Sequence, residues 1–542
     1  MAHDPIELAI AGEGLLAAAR EMGEKLVRSA FSTIVREARD ASTAILDVRG
    51  RIIAQAEMIP IQLGSMGETL RPCLDLYPLE QVREGDFFVN NHPYLGGQHL
   101  QDVFLFTPIF VNAGLIGFCG STAHHLDIGG GQPGLNTAAT DYYQEGLALP
   151  PMKFNYAADW NGGAFQRLVA QNVRVPDLTI GDFNAQFAAN ALGVKRVREL
   201  TERYGVEVVA AAMDYLIDYS EARMRAAIAA LPDGRFTAED YLDPEKDGER
   251  LAVRVSILVA NDSLEIDFAG TSQQVARNIN SPLSSTYAAA TSCLKGVLLS
   301  SDVPSNEGTS LPIKIKAPLG TLVNPRAPAA VRARMETCYR TYCAVMKALA
   351  QAIPDAVIAS GADSTLATCF TLREANGYRV LLEVHGGGFG ASSKCDGADG
   401  IAASLSNVTN TPIEAIDMEC RHVRIAEYGL IGSSGGRGTH RGGLGLRRVY
   451  EVLAERVEFS CYGDRFIQQP EGLFGGEPGR NARCLIERHG STVEGDLSSA
   501  IKLTRGDKVI IETAGGGGVG LPSNRDPART SRDHVAGFVA SD

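Results

Sequence analysis

Four of the ten histidines, His92, His99, His124 and His125, fall within 34 residues and alternate with Asp102 and Asp127. Imidazole and carboxylate are the side chains that hold divalent transition ions while leaving positions open to water or substrate. They occur in two segments, Asn91-His-Pro-Tyr-Leu-Gly-Gly-Gln-His99-Leu-Gln-Asp102 and Ala123-His124-His125-Leu-Asp127-Ile-Gly-Gly. Two imidazoles and a carboxylate brought to one point would suit Zn²⁺, Mn²⁺ or Fe²⁺.

The stretch between the segments must bring them together. Val103-Phe-Leu-Phe and Leu115-Ile-Gly-Phe read as two strands around Asn112-Ala113-Gly114. A three-residue loop with Gly114 in the left-handed conformation pairs Val111 with Leu115. Residues whose numbers sum to 226 then face each other, and Asp102 lies opposite His124 with Cβ atoms about 4.5–5.5 Å apart. His99, just before the strand, approaches from the adjoining loop. A hydrogen-bonded cross-strand His–Asp pair gives the same pattern without an ion, and the clustering of six such groups brings the two readings level. A one-residue change of register would separate the pair.

Asp40 and Asp47 are candidates for a fourth ligand. Asp47-Val-Arg-Gly-Arg is a turn, where aspartate serves its own backbone, so Asp47 is read as structural. Asp40 stands at a strand start after Arg36-Glu-Ala-Arg39 with no turn to explain it, and is either a ligand or the partner of a nearby arginine in a surface salt bridge. If the strand runs through His124, His125 points to the opposite face, toward packing or toward orienting a ligand. Asp127-Ile-Gly-Gly-Gly is equally a turn.

Helical periodicity is strongest over Ile6–Phe31, Asn184–Leu231 and Ala329–Ile353. Pro232-Asp-Gly stops the second, and strands around Asn261-Asp262 follow. Beyond His385 the chain turns to glycine and short strands: Leu446–Leu453, Val457–Cys461, Ala482–Glu487 and Lys508–Glu512. The expected class is α+β and multidomain, with a helical, hairpin-containing region 1–235 carrying the ion site, a mixed β/α domain 236–384, and a Gly-rich, mostly β domain 385–542.

With 542 residues, 45% apolar and 21% charged, the chain has the composition of a large folded protein. Its net charge of −13 gives no overall footprint for nucleic acid or an anionic membrane. The start, Met1-Ala-His-Asp-Pro-Ile-Glu, has no secretory signal pattern, so a cytoplasmic protein is expected. Its ten scattered cysteines contain no CxxC pair and fit reduced thiols. The glycine runs 385–390, 432–438 and 515–520 lack a phosphate-binding lysine motif and read as tight turns, candidates to border a substrate. GxSxG is also absent.

The same segments carry a family resemblance. Arg36-Glu-Ala-Arg-Asp40-Ala-Ser-Thr-Ala, Ile59–Met66, Asn91–Val103, Ala123–Gly130, Tyr143-Gln-Glu-Gly146, Ile279–Leu283, Val323–Val331, Ser406–Pro412, Ser433-Ser-Gly-Gly and Arg441-Gly-Gly-Leu-Gly together resemble the hydantoinase B/oxoprolinase family nearly end to end. The family comprises B-type subunits of ATP-dependent hydantoinases, 5-oxoprolinases and lactamases, with relatives in acetone and acetophenone carboxylases. The resemblance implies a divalent metal at Asp40, His99, Asp102 and His124, with His125 or Asp127 orienting water or moving protons. It further implies an A-type partner that binds ATP and phosphorylates the carbonyl oxygen of a cyclic amide such as a hydantoin, 5-oxoproline or lactam. A ketone carboxylase subunit and a non-catalytic scaffold are the alternatives. Asn91-His92-Pro93-Tyr94 stands where the family usually has Asn-Asp-Pro-Tyr, and Gly518-Val-Gly-Leu-Pro522 replaces Gly-Tyr-Gly-Asp-Pro; these departures bear on substrate more than on metal.

Overall fold

Strand pairing in the first third of the chain decides where the histidines go. The computed structural model describes residues 4–244, 248, 250–375 and 377–539. Its first sheet contains β1 (Ala41–Asp47), β2 (Ile52–Ala56), β3 (Asp86–Asn90), β4 (Asp102–Val111), β5 (Gly114–His124) and β6 (Met152–Asn155), all antiparallel in the order β2-β1-β5-β4-β3-β6.

Both faces of this sheet are covered. Helix Pro5–Ser29 begins with Asp4 capping the Ile6 amide at 3.0 Å and Pro5 in the first turn, where a missing N–H costs nothing. The expected helix 184–231 is two helices, Pro176–Tyr204 and Val206–Ala229, because Gly205 takes φ +87° and breaks the run. Leu15, Met22, Ile45, Cys119, Ala189 and Leu216 form the core beneath these helices. On the opposite face Phe88, Phe104, Phe106 and Phe118 pack with Leu70 of helix Ser65–Leu76.

The second sheet contains β7 (Gly234–Leu242), β8 (Leu251–Ala260), β9 (Ser263–Asp267) and β10 (Ile313–Lys316), ordered β10-β9-β8-β7. Helices Leu283–Leu298 and Met335–Leu349 share its apolar core through Leu294, Val345 and Leu349. The latter is shorter than the expected 329–353. The Val331 and Arg332 amides are spent on the Glu145 carboxylate, so regular helix begins only at Met335.

The last third adds nine strands: β11 (Ala367–Glu374), β12 (Gly377–Val384), β13 (Val423–Leu430), β14 (Leu446–Val452), β15 (Val457–Tyr462), β16 (Arg483–Arg488), β17 (Ser491–Glu494), β18 (Ile501–Leu503) and β19 (Lys508–Glu512). They make two sheets, β12-β11-β15-β18 and β13-β14-β19-β16-β17, packed through Phe370, Tyr450, Phe459 and Ile511. Strands from both sides of residue 384 thus share a sheet.

The glycine runs are more than separate turns. Their backbones lie side by side and exchange hydrogen bonds: Gly516 N donates to Gly443 O at 2.9 Å, Gly436 N to Gly516 O at 2.8 Å, and Gly388 N to Ala514 O at 3.0 Å. A Cβ on Gly388, Gly442 or Gly516 would overlap backbone atoms of a neighbouring run. The fold is α+β with several sheets, as the sequence leads one to expect. Among the described residues no helix is long and apolar enough to cross a membrane. All ten cysteines are free thiols.

Candidate metal centre

Asp102 pairs with His124 across β4 and β5, the register expected from the sequence, but the turn producing it differs. The loop has two residues, Asn112 and Ala113, both with positive φ (48° and 65°), so Val111 pairs with Gly114 rather than Leu115. Gly114 is not left-handed. An irregularity between Ile109 and Phe110 then inserts one residue on β5 and restores the sum of 226 from Ile109–Gly117 onward. Two departures cancel, and Asp102 still meets His124.

β1 lies on the other side of β5 with Ala41 opposite Ala123, and the His124 amide donates to the Asp40 carbonyl at 3.0 Å. Asp40, His124 and Asp102 therefore stand in a row across three neighbouring strands. His99 closes the group from the loop before β4. That loop is fixed by Asn91, whose side-chain amide donates to Leu100 O at 2.7 Å and whose side-chain oxygen accepts from the Leu149 amide at 2.7 Å.

Asp102 Oδ1 is 3.1 Å from His99 Nε2 and 3.3 Å from His124 Nδ1, while His124 Nδ1 is 3.7 Å from Asp40 Oδ2. His99 and Asp102 are buried, 3% and 1% exposed. His99 Nδ1 lies 3.1 Å from the Arg332 carbonyl, which can only accept, so Nδ1 carries the proton and Nε2 presents a lone pair. Burial and the Arg334 guanidinium push the His99 imidazolium down to about 3, so the ring is neutral. Burial opposes ionisation of Asp102, but the charged groups around it, among them the Arg334 guanidinium that donates to Oδ2, outweigh it and hold the carboxyl well below the usual range. Two lone-pair atoms, His99 Nε2 and Asp102 Oδ1, thus face each other, buried and without hydrogen-bond partners. Such a donor set can hold a cation. His99, Asp102 and His124 are the described residues whose ligand atoms converge closely enough to hold one.

Asp40 pairs with no arginine among the described residues; its Oδ1 accepts from Gln62 Nε2 at 3.0 Å. Asp47 serves the turn, accepting from the Arg49 and Arg51 amides at 2.9 and 2.8 Å. His125 points to the opposite face, with Nε2 3.1 Å from Gln186 Oε1 and its ring centroid 4.4 Å from that of Phe183. Asp127 accepts from the Arg174 amide and, at 3.2 Å, from its guanidinium. His92 sits 3.3 Å from the Tyr142 hydroxyl. Neither His125 nor Asp127 joins the cluster.

Sequence reading missed two residues of the centre. Arg334, 2% exposed, donates to Asp102 Oδ2 at 2.9 Å and to Gln98 Oε1 at 2.8 Å, leaving Asp102 Oδ1 for the cluster. Tyr462, from the end of β15, lines the same cavity of about 40 Å³ together with Leu135, Met335, Leu382 and Val408. Such a space accommodates about one water beside the ligands. Tyr462 also borders a larger cavity of about 690 Å³ lined by Ala138, Asn278, Glu336 and Phe466. Arg334 stands three residues after the Val323–Val331 stretch, where no spacing marks it for the site.

Glu336 makes a pH-dependent contribution to stability. Burial, reinforced by Asp464, drives its carboxyl up to about 8, and one oxygen accepts from the Thr365 amide at 3.0 Å. The folded state holds this proton more tightly than the unfolded chain, where a glutamate titrates at its ordinary 4.5. The contribution is therefore fully present below about 4.5 and is lost as pH rises to about 8. Glu336→Gln cannot ionise. Its melting temperature should match the parent at pH 4 and exceed it by several degrees at pH 9, each tenfold difference in proton affinity being worth about 1.4 kcal/mol. Equal offsets at both pH values would exclude the assignment.

The architecture is a multi-sheet α+β fold around one buried histidine–aspartate cluster. The chain belongs to the hydantoinase B/oxoprolinase family, whose profile matches residues 4–522. It is 34% identical to the putative B-type subunit of a D-/L-hydantoinase from Pseudomonas sp. over 559 residues, covering 99% of this chain and 94% of the relative. It is 30% identical to 5-oxoprolinase 1 of Arabidopsis thaliana, but spans only 42% of that protein. Among solved structures, the ATP-dependent caprolactamase from Pseudomonas jessenii superposes with a TM-score of 0.92 at 27% identity, covering 100% of this chain and 95% of that one. Acetone carboxylase shares the fold, with a TM-score of 0.89 at 18% identity, covering 99% of this chain and 78% of that one.

Proposed function

We propose that the chain is the metal-dependent, ring-opening subunit of an ATP-dependent cyclic amide hydrolase. Its substrate would be a hydantoin, 5-oxoproline or lactam whose carbonyl oxygen has been phosphorylated by an A-type partner. The observation that carries this reading is the buried, partnerless confrontation of His99 Nε2 with Asp102 Oδ1. The hydantoinase and caprolactamase relatives support the reaction class.

In this reading His99, Asp102 and His124 hold the ion, with Asp40 beside them. A divalent Zn, Mn or Fe ion there would supply Lewis acidity and bring the pKa of water toward neutrality. The Arg332 carbonyl fixes the His99 tautomer, Arg334 fixes Asp102, and Gln62 orients Asp40. Tyr462 and the apolar walls exclude bulk water from the reacting carbonyl. His125 and Asp127 act as positioning residues, anchoring the end of β5 to Gln186 and the following loop to Arg174. ATP belongs to the partner, consistent with the lack of a phosphate-binding lysine motif in this chain.

The test is elemental analysis of the purified chain, followed by co-expression with its A-type partner and assay against lactams, hydantoins and 5-oxoproline. About one transition ion per chain and substrate-dependent ATP hydrolysis with ring opening are expected. Turnover by ion-free protein would refute the role, and stoichiometric bicarbonate consumption with a ketone would transfer the site to carboxylation.

A further inference from the structure

Away from the His99 centre, β2 and helix Leu283–Leu298 wall a cavity of about 420 Å³ that shares no lining residue with the metal cavity. Its volume is that of a small-molecule site. Polar side chains around it have spent their donors on the backbone. The amides of Gln55, Asn306 and Asn407 donate to the carbonyls of Ser305, Leu216 and Met58 at 3.0, 3.0 and 2.7 Å. The hydroxyls of Thr291, Ser292 and Thr309 donate to the carbonyls of Tyr287, Pro60 and Asn306 at 2.9, 3.2 and 2.8 Å. What these groups keep is lone pairs. Gln55 is 5% exposed, and because the Ser305 carbonyl can only accept, Nε2 is fixed on it and Oε1 is left buried without a partner. Such an atom is satisfied when a ligand brings a donor.

Charge narrows the ligand. Glu57, Glu68 and Glu307 line the cavity, Lys295 pairs with Glu57, and Arg71 bridges the other two, so three carboxylates meet two cations and one negative charge is left over. Among the described residues only the His99 cluster converges tightly enough for an ion, so these carboxylates do not form a metal cage of their own. Each has one oxygen committed, Oε1 in every case, which leaves single acceptors rather than the oxygen pair that matches a planar guanidinium. Three divergent N–H donors suit single acceptors. Met58 and Leu299 add apolar wall. We propose that this cavity binds a small organic cation, a primary ammonium on an aliphatic stem, received by Gln55 Oε1 and the carboxylates around it.

The experiment is isothermal titration calorimetry of the full chain with pentylammonium chloride, with chelator present so that no amine binds at the metal centre. Sodium pentanoate and 1-pentanol carry a five-carbon chain without the cation. Saturable binding of one pentylammonium per chain is expected, with 1-pentanol at least about tenfold weaker. Gln55→Met should weaken pentylammonium by about tenfold or more, and Glu307→Gln, which removes the surplus charge, by about tenfold. Should Gln55→Met lose the parent's circular dichroism or melting temperature, Glu307→Gln decides, since its amide oxygen can still accept from Arg71. Equal affinity for pentylammonium and 1-pentanol, a preference for pentanoate, no saturable binding, or an unchanged affinity in the folded variants would overturn the proposal. No outcome depends on the metal reading, because the two cavities have no residue in common.

Discussion

Asp102→Asn is expected to fold, lose the bound ion and lose ring opening by about 10³-fold or more, the scale of several kcal/mol of Lewis-acid stabilisation. The amide oxygen can keep the Arg334 contact now made by Oδ2 at 2.9 Å. The amide nitrogen then takes the place of Oδ1, 3.1 Å from the His99 Nε2 lone pair, and donates to it. The two partnerless atoms satisfy each other and the site is closed. Asp102→Ala is a harsher change, since Arg334 would become an unpaired buried cation, at about 3–5 kcal/mol. Elemental analysis, melting temperature and ring-opening rate of both variants separate ligation from folding. An Asn variant that keeps both its ion and its rate would remove Asp102 from the centre.

The other large effect is expected far from the histidines. Gly516→Ala should yield insoluble or unfolded protein, a loss of about 4 kcal/mol or more. Its Cβ would overlap the Phe389 carbonyl, and neither backbone can withdraw: Gly516 N is bonded to Gly443 O, and Gly516 O to Gly436 N. Gly296→Ala is the contrast. It lies in helix Leu283–Leu298, its added methyl meets nothing within 4 Å, and helix propensity should stabilise it by up to about 1 kcal/mol. Soluble yield and thermal unfolding of the pair decide whether backbone proximity or mere glycine content matters.

Local periodicity made the long helices and the β4–β5 hairpin readable, because both report a pattern within about twenty residues. The Asp102–His124 pairing was legible even though its turn was not, since the inserted residue near Phe110 offsets the shorter loop. Asp40 was reachable as a carboxylate with no turn to occupy it, and its position beside His124 follows from β1 pairing with β5. Arg334 and Tyr462 were beyond reach. Each comes more than 200 residues after the histidines, and nothing in local spacing records which distant strand supplies a cavity wall. The glycine runs failed to reveal their common packing for the same reason, each run alone being indistinguishable from a turn.

The cavity around His99 has an order of construction. Asp40, His99, Asp102 and His124 have all left the ribosome once residue 124 is clear of the exit tunnel. Leu382, Val408 and Tyr462, which enclose them, are still hundreds of codons away. Because chains fold vectorially from the N-terminus, the nascent cluster passes through a stage without its lid. An ion held there as proposed would then be loaded most easily on the unfinished chain and least easily once the last sheet has docked.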